Sequence, residues 1–522
     1  MTRMYWKNPF FFSLLILFLF LPLVLLIRWN AYPPGGFFFT GFLQSDQITY
    51  TALFRSVILR GNGFSYSYPF AEQGSENPPV YFQIPFTLLA WIWKISGGNI
   101  VMTWEFFRLI SSLAFFLILS SFLFHLMKRF YPDEAESPGF RWFFYALLAI
   151  LFFGGGVAWL FSLLKFGFAR DKGISLPDAF KSVESPYHWW FLNLFRNNLY
   201  PLELFHHACF FLALLGALRK KPLLIFTGLV LGCLSGVFVG IEISAVLMVF
   251  FLVETILKRE KENLYHLGGA LFVFLAFAAY YALFLPRFPV PRTLIQQHKK
   301  VFFELIPLHK YLPAYGILLF TTPFLFLKRD FRKMILKNRE GRLLVCWAGA
   351  VGLLMFNDKF LPGSGLQPPH FSRGYFFSAM ALLSGVGLFP LFQKAFLRNR
   401  LKAAPLLILA TLLFLPDNVL FTIERFTDSP HVDILSLPPE TKEALEFLDA
   451  ITEPRVAFCP DRKFGHLVPA FSNHASIFSE YGLTANDEAK VKEAHRFFSG
   501  RDRKSFIEKY RITLIILPHQ GG

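Results

Sequence analysis

Phe10-Phe11-Phe12-Ser13-Leu14-Leu15-Ile16-Leu17-Phe18-Leu19-Phe20-Leu21-Pro22-Leu23-Val24-Leu25-Leu26-Ile27 carries no charge and a single hydroxyl. A membrane helix needs about 20 predominantly apolar residues, so this run predicts a span. Arg3 and Lys7 precede it as they would a secretory signal, but its length and its lack of a small-residue cleavage site predict a retained helix. Directly behind it the character reverses. A polar segment opens at Ser45-Asp46-Gln47-Ile48-Thr49-Tyr50 and reaches Glu76-Asn77-Pro78-Pro79-Val80-Tyr81, with Pro, Gly, Asn and aromatic residues between. Carboxylates at a bilayer surface usually do chemistry or bind something, so this segment reads as a site and not as a linker.

The rest of the chain repeats the first pattern. A hydrophobic share of 54% and 69 Phe in 522 residues exceed what one soluble core buries, and mean hydropathy is +0.45. Further apolar runs lie at Val101–Met127, Trp142–Leu164, Tyr200–Leu218, Pro222–Leu257, Leu264–Leu285, Tyr311–Leu327, Leu343–Phe356, Tyr375–Phe392 and Ala403–Phe421. Pro222–Leu257 is too long for one crossing and is flanked by Arg219-Lys220-Lys221 and Lys258-Arg259, which puts both ends on one side. Gly228, Gly232, Gly236 and Gly240 recur every fourth residue, a spacing that lets helix backbones approach. A tight helical hairpin turning near Gly236 to Glu242 follows.

In a soluble chain the net charge of +17 would suggest a nucleic-acid partner. Here it sits in short blocks between apolar runs, and nucleic acid is excluded. With a cytoplasmic N-terminus every dense basic block falls in the cytoplasm, from Lys128-Arg129 to the cluster Lys328–Arg342 and on to Lys394–Lys402. That solution requires Pro79–Ile95, with Trp91, Trp93 and Lys94, to lie along the outer interface. The expected fold class is a polytopic α-helical membrane protein with about eleven transmembrane helices. Cys209, Cys233, Cys346 and Cys459 show no disulfide or metal-ligand spacing.

From Asp428 the composition changes. Short apolar runs at Arg455–Cys459 and Ile512–Leu517 alternate with helical stretches at Glu440–Ala450, Asp487–Phe498 and Lys504–Tyr510. The chain therefore divides into a transmembrane domain, 1–427, with a first outer loop at 28–100, and a small extracytoplasmic α/β domain at 428–522.

One span, a long outer loop opening on a carboxylate, a Pro-Pro interfacial segment, many spans and an outer C-terminal domain together resemble the GT-C superfamily. Those are glycosyltransferases using polyprenyl-phosphate sugars, including protein O-mannosyltransferases, the lipid A aminoarabinose transferase and the catalytic subunit of oligosaccharyltransferase. Asp46 followed by Tyr50 is similar to the Asp-Glu-x-x-Tyr start of the family's first loop, with Gln47 in place of the Glu. Glu76-Asn77-Pro78-Pro79 is similar to the Glu-Lys-Pro-Pro of the aminoarabinose transferase, with Asn77 in place of the Lys.

The resemblance implies an inverting hexosyl- or pentosyltransferase in a bacterial inner membrane, acting on a lipid, glycan or protein acceptor outside the cytoplasm. Such chemistry needs a base for the acceptor hydroxyl and cations for the departing phosphate. Asp46 is the expected base, or else an N-cap of the helix it opens. Glu76 is the expected second catalytic carboxylate, or else a solvated loop residue. Tyr50 is the expected substrate contact. Phosphate candidates are Arg292, Lys299 and Lys300 in the cationic stretch Pro286–Lys310, and His370 and Arg373 in Gln367–Arg373. Attraction to lipid head groups accounts for the same cations without catalysis.

No cofactor is certain from the sequence, and a divalent metal is the less favoured reading. The oligosaccharyltransferase branch supplies acidic ligands as Asp-x-Asp, whereas Asp171 and Asp178 stand seven positions apart. Glu203, His206 and His207, at the start of a span, read as a self-satisfied polar cluster. A transporter or flippase of lipid-linked sugars, and a non-catalytic envelope scaffold, are the competing readings. A transporter would more often carry internal repeats and broken helices.

Overall fold

Backbone that leaves water must close its own hydrogen bonds, and in this chain it does so as helices. The computed structural model describes residues 8–30, 38–42, 46–183, 192–300, 308–361, 366–372, 374–428, 436–479 and 484–517. Among them five helices are long and apolar enough to cross a membrane: Ile100–Phe130, Pro201–Arg219, Val237–Lys258, Lys261–Arg287 and Pro368–Arg398. Two bent pairs bring the number to seven if each is one span: Pro138–Phe153 with Ala158–Ala169, at 68°, and His309–Tyr315 with Leu318–Leu327, at 89°. The protein is a polytopic helical membrane protein.

Several apolar runs of the sequence form shorter or interrupted helices. The first is helical from Pro9 to Asn30, Leu343–Phe356 falls in a helix at Arg339–Leu354, and Ala403–Phe421 is divided before Pro416 into Arg400–Phe414 and Pro416–Asp428. Pro222–Leu257 is two helices, Pro222–Cys233 and Val237–Lys258, with the turn at 234–236. A Cβ on Gly228 would stand 2.5 Å from the Ala213 backbone nitrogen, so this glycine lets the hairpin lie against Pro201–Arg219.

The chain divides into two compact units. One comprises Met1–Leu25, Arg108–Leu275 and Phe303–Asp428. It contains both bends. The first follows Gly154-Gly155-Gly156, and the backbone groups released there are taken up by neighbouring chain. Gly155 N–H donates to Phe414 O at 2.6 Å, Val157 N–H to Pro313 O at 2.7 Å, and Gly154 O accepts from Asn193 N–H at 2.8 Å. Buried Asp417 receives the N–H groups of Ala158 and Trp159 at 3.1 and 2.6 Å and so caps the second half-helix. A Cβ on Gly156 would fall 1.8 Å from Pro313 O, which ties the first break to the second.

The other unit comprises Leu26–Phe107, Ala276–Phe302 and Ser429–Gly522. Strand β1 (Phe38–Phe39) pairs antiparallel with β2 (Ser436–Leu437). Strand β3 (Val456–Phe458) is central in a parallel sheet between β4 (Ala475–Ser476) and β5 (Leu514–Ile515). Helix Arg462–Phe471 connects β3 to β4. Phe458, Ile477, Phe478, Phe506, Tyr510 and Ile512 form the core on this sheet. Ser476 N–H reaches Pro69 O at 3.0 Å, so the first polar segment is built against the C-terminal sheet.

Candidate functional site

Asp46 opens the helix Asp46–Leu59, where a carboxylate is favoured by the helix dipole, and it is half-buried. Tyr50 lies one turn on, on the same face, with its ring 5.4 Å from Phe86 of the helix Ile84–Ile95. Gln47, which stands where the related motif has Glu, is buried. The C-terminal segment fixes the rotation of this helix. Thr49 Oγ1 meets His466 Nε2 at 2.9 Å, and buried Arg55 donates to Ala470 O at 2.7 Å and Asp449 Oδ1 at 3.3 Å.

Glu76 sits exposed at the tip of a stapled turn. Asn77 is 1% exposed. Its amide accepts from Tyr68 N–H at 3.0 Å and donates to Tyr68 O at 2.8 Å and Glu72 O at 3.1 Å. Every described bond of that side chain goes to backbone, so Asn77 staples the turn. Tyr66 and Tyr81 pair across the base of the segment with stacked rings 5.5 Å apart. Tyr280 Oη accepts from Phe82 N–H and donates to Val80 O, both at 2.9 Å. Val290 N–H reaches Glu76 O at 3.4 Å, which brings the start of the helix Pro289–Lys300 to the turn.

Arg292 lies exposed on that helix with Nε donating to Pro286 O at 2.7 Å. This bond holds the guanidinium at one nitrogen. Lys299 and Lys300 end the same helix, but their side chains lie outside the described residues, as does Arg373. One unit therefore contains Asp46, Tyr50, Glu76, Arg292, Lys299 and Lys300, and His370 belongs to the other. There His370 Nε2 meets Gln367 Oε1 at 2.7 Å, and its ring stacks on Phe238 at 3.8 Å.

The spans hold their own polar cluster. Buried Arg196 meets Glu203 at 3.4 Å and His207 Nε2 at 2.8 Å, and Glu203 lies 3.6 Å from His206. Asp171 opens no metal cluster with Asp178, which accepts from Ser175 instead. Among the described residues no three His, Cys, Asp or Glu side chains converge as a metal site requires.

Sequence reasoning passed over Glu72 and Lys490. Lys490 Nζ stands 2.7 Å from Glu72 Oε2 with its side chain fully buried. Burial pulls the Lys490 ammonium below its ordinary pKa, and the Glu72 carboxylate opposes that shift. Neither residue has a local signal, because they are 418 positions apart.

No protein-family model matches this chain, and no curated protein matches it in sequence. Solved structures do. The archaeal oligosaccharyltransferase AglB from Archaeoglobus fulgidus, in complex with an inhibitory peptide and a dolichol-phosphate, is similar at a TM-score of 0.53 and 13% identity, over 98% of this chain and 70% of that one. This chain shares the fold of that oligosaccharyltransferase. The apo oligosaccharyltransferase from the same organism is similar at a TM-score of 0.50 and 14% identity, over 92% of this chain and 65% of that one. ArnT from Cupriavidus metallidurans in the apo state matches at 0.47 and 14%, over 93% and 90%.

Proposed function

We propose that this protein is a GT-C glycosyltransferase that moves one sugar from a polyprenyl phosphate to an acceptor outside the cytoplasm, with inversion. The observation that carries the reading is the fold shared with an oligosaccharyltransferase that holds a dolichol-phosphate. Asp46 acts as general base toward the acceptor hydroxyl, and Glu76 orients the acceptor or the sugar. Tyr50, on the Asp46 face, contacts the bound substrate. Arg292, with Lys299 and Lys300 on the same helix, is assigned to the donor phosphate. His370 and Arg373 are further phosphate candidates, each to be measured by its own substitution. The acceptor is a lipid, a glycan or a protein.

The same proposal sets the membrane arrangement. The chain crosses a bacterial inner membrane about eleven times, with the N-terminus in the cytoplasm and residues 428–522 outside. Broken spans are also a transporter feature. Here the released N–H groups are closed by Pro313, Phe414 and Asp417, so the break at Gly154–Gly156 is filled with protein. Purified protein incubated with a panel of radiolabelled polyprenyl-phosphate sugars is expected to release label from one donor. No release from any donor, with lipid-linked sugar crossing proteoliposomes, would replace this reading with transport.

A further inference from the structure

Glu72 and Glu76 share one turn, and they are held in opposite ways. Glu76 is exposed, whereas Glu72 meets a lysine whose side chain is fully buried. A buried ammonium is tolerated only when paired and hydrogen-bonded, so Lys490 in this place demands Glu72. The ring of Tyr510 lies 5.3 Å from Lys490 Nζ, on the side of the core. A second C-terminal cation grips the same turn. Arg511 Nη1 donates to Gln73 O at 3.3 Å. The turn passes so close that a Cβ on Gly74, where φ is +123°, would stand 2.2 Å from Arg511 Nη1. Two basic side chains of the C-terminal segment thus hold residues 72–74, and Asn77 closes the far side through Tyr68 and Glu72.

We propose that Lys490 and Arg511 are positioning residues that hold the turn carrying Glu76 in its working place. The C-terminal segment is then part of the catalytic apparatus. This rests on the glycosyltransferase reading for its kinetic consequence, but not for its structural one. Misplacing a positioned group by about 1 Å costs on the order of a hundredfold in rate. Loss of the pair is therefore expected to lower kcat by roughly ten- to hundredfold, with little change in the donor KM.

The test uses the full-length protein with Ser75→Cys carrying a nitroxide. Ser75 is exposed and all four native cysteines are buried, so labelling is selective. The parent is expected to give the spectrum of a constrained label, Lys490→Met a mobile one, and Lys490→Arg a constrained one again with kcat recovered. Glu72→Gln provides a second route to the same loosening should Lys490→Met fail to fold. A constrained label in both variants overturns the proposal, and so does a mobile label with unchanged kcat. Absence of sugar release by the parent would sink the glycosyltransferase reading, and the catalytic role of these residues with it, while the label still reports the clamp.

Discussion

Asp46 and Arg292 carry the residue-scale predictions, because each has a defined geometry and a conservative substitute. Asp46→Asn keeps the size of the side chain but removes its ability to accept a proton. We expect transfer to fall by about 10² to 10⁴, with the thermal midpoint unchanged. Near-parental turnover refutes the base assignment, and a large fall in midpoint shows instead that the carboxylate stabilises the start of Asp46–Leu59. Arg292 differs from a generic surface cation because its Nε is already committed to Pro286 O at 2.7 Å. Only a guanidinium can be held at one nitrogen and grip phosphate oxygens with the others. Arg292→Ala is expected to weaken donor binding roughly ten- to hundredfold, and Arg292→Lys nearly as much. Equal, salt-sensitive losses below about twofold in both variants would mark it as a lipid-surface charge.

At the scale of elements, the C-terminal α/β segment has a built-in pH dependence. His474 is buried just ahead of β4. Its Nε2–H donates to Leu448 O at 2.9 Å and its Nδ1 accepts from Arg455 N–H at 3.2 Å, so the ring is held neutral. Desolvation depresses its pKa below 6.5; the bond to Leu448 O and the Asp449 carboxylate oppose this, and nearby Arg60 and Arg455 add to it. The unfolded chain then takes up its proton at a higher pH than the folded one. Stability is full above about pH 6.5 and falls as pH drops toward the folded pKa. Thermal unfolding followed from about pH 8 to pH 5 should show this decline, and His474→Gln should flatten it. An identical slope in the variant refutes the assignment. The elements differ in how far they could be read beforehand. The hairpin from Pro222 to Lys258 was legible, since its length and flanking cations are local facts, although its turn at 234–236 comes earlier than expected and meets the expected interval only at Gly236. Strand β4 was not, because two residues, Ala475 and Ser476, carry no periodicity and form a strand only beside β3.

Over the whole molecule, the basic blocks predict that the C-terminus faces away from the cytoplasm. Alkaline phosphatase fused after Gly522 should be active, and a cytoplasmic reporter there silent. The reverse would put Asp46 on the wrong side for an external acceptor. Hydropathy by itself determined that the chain is a membrane protein and where most of its helices lie, because transfer of side chains from water to lipid is nearly additive over a window of sequence. The short patterns around Asp46 and Glu76 were equally local, and the resemblance to GT-C rested mostly on their order behind the first span. Only the tertiary structure decided where helices break. Gly156 must pass against Pro313, and a side chain as distant in sequence as Asp417 must cap the half-helix that follows. The same holds for the different surroundings of Glu72 and Glu76. Two carboxylates four positions apart look alike in sequence, and one becomes structural because Lys490 is folded against it. Burial and pairing are relations between distant residues, and no window of sequence contains both partners.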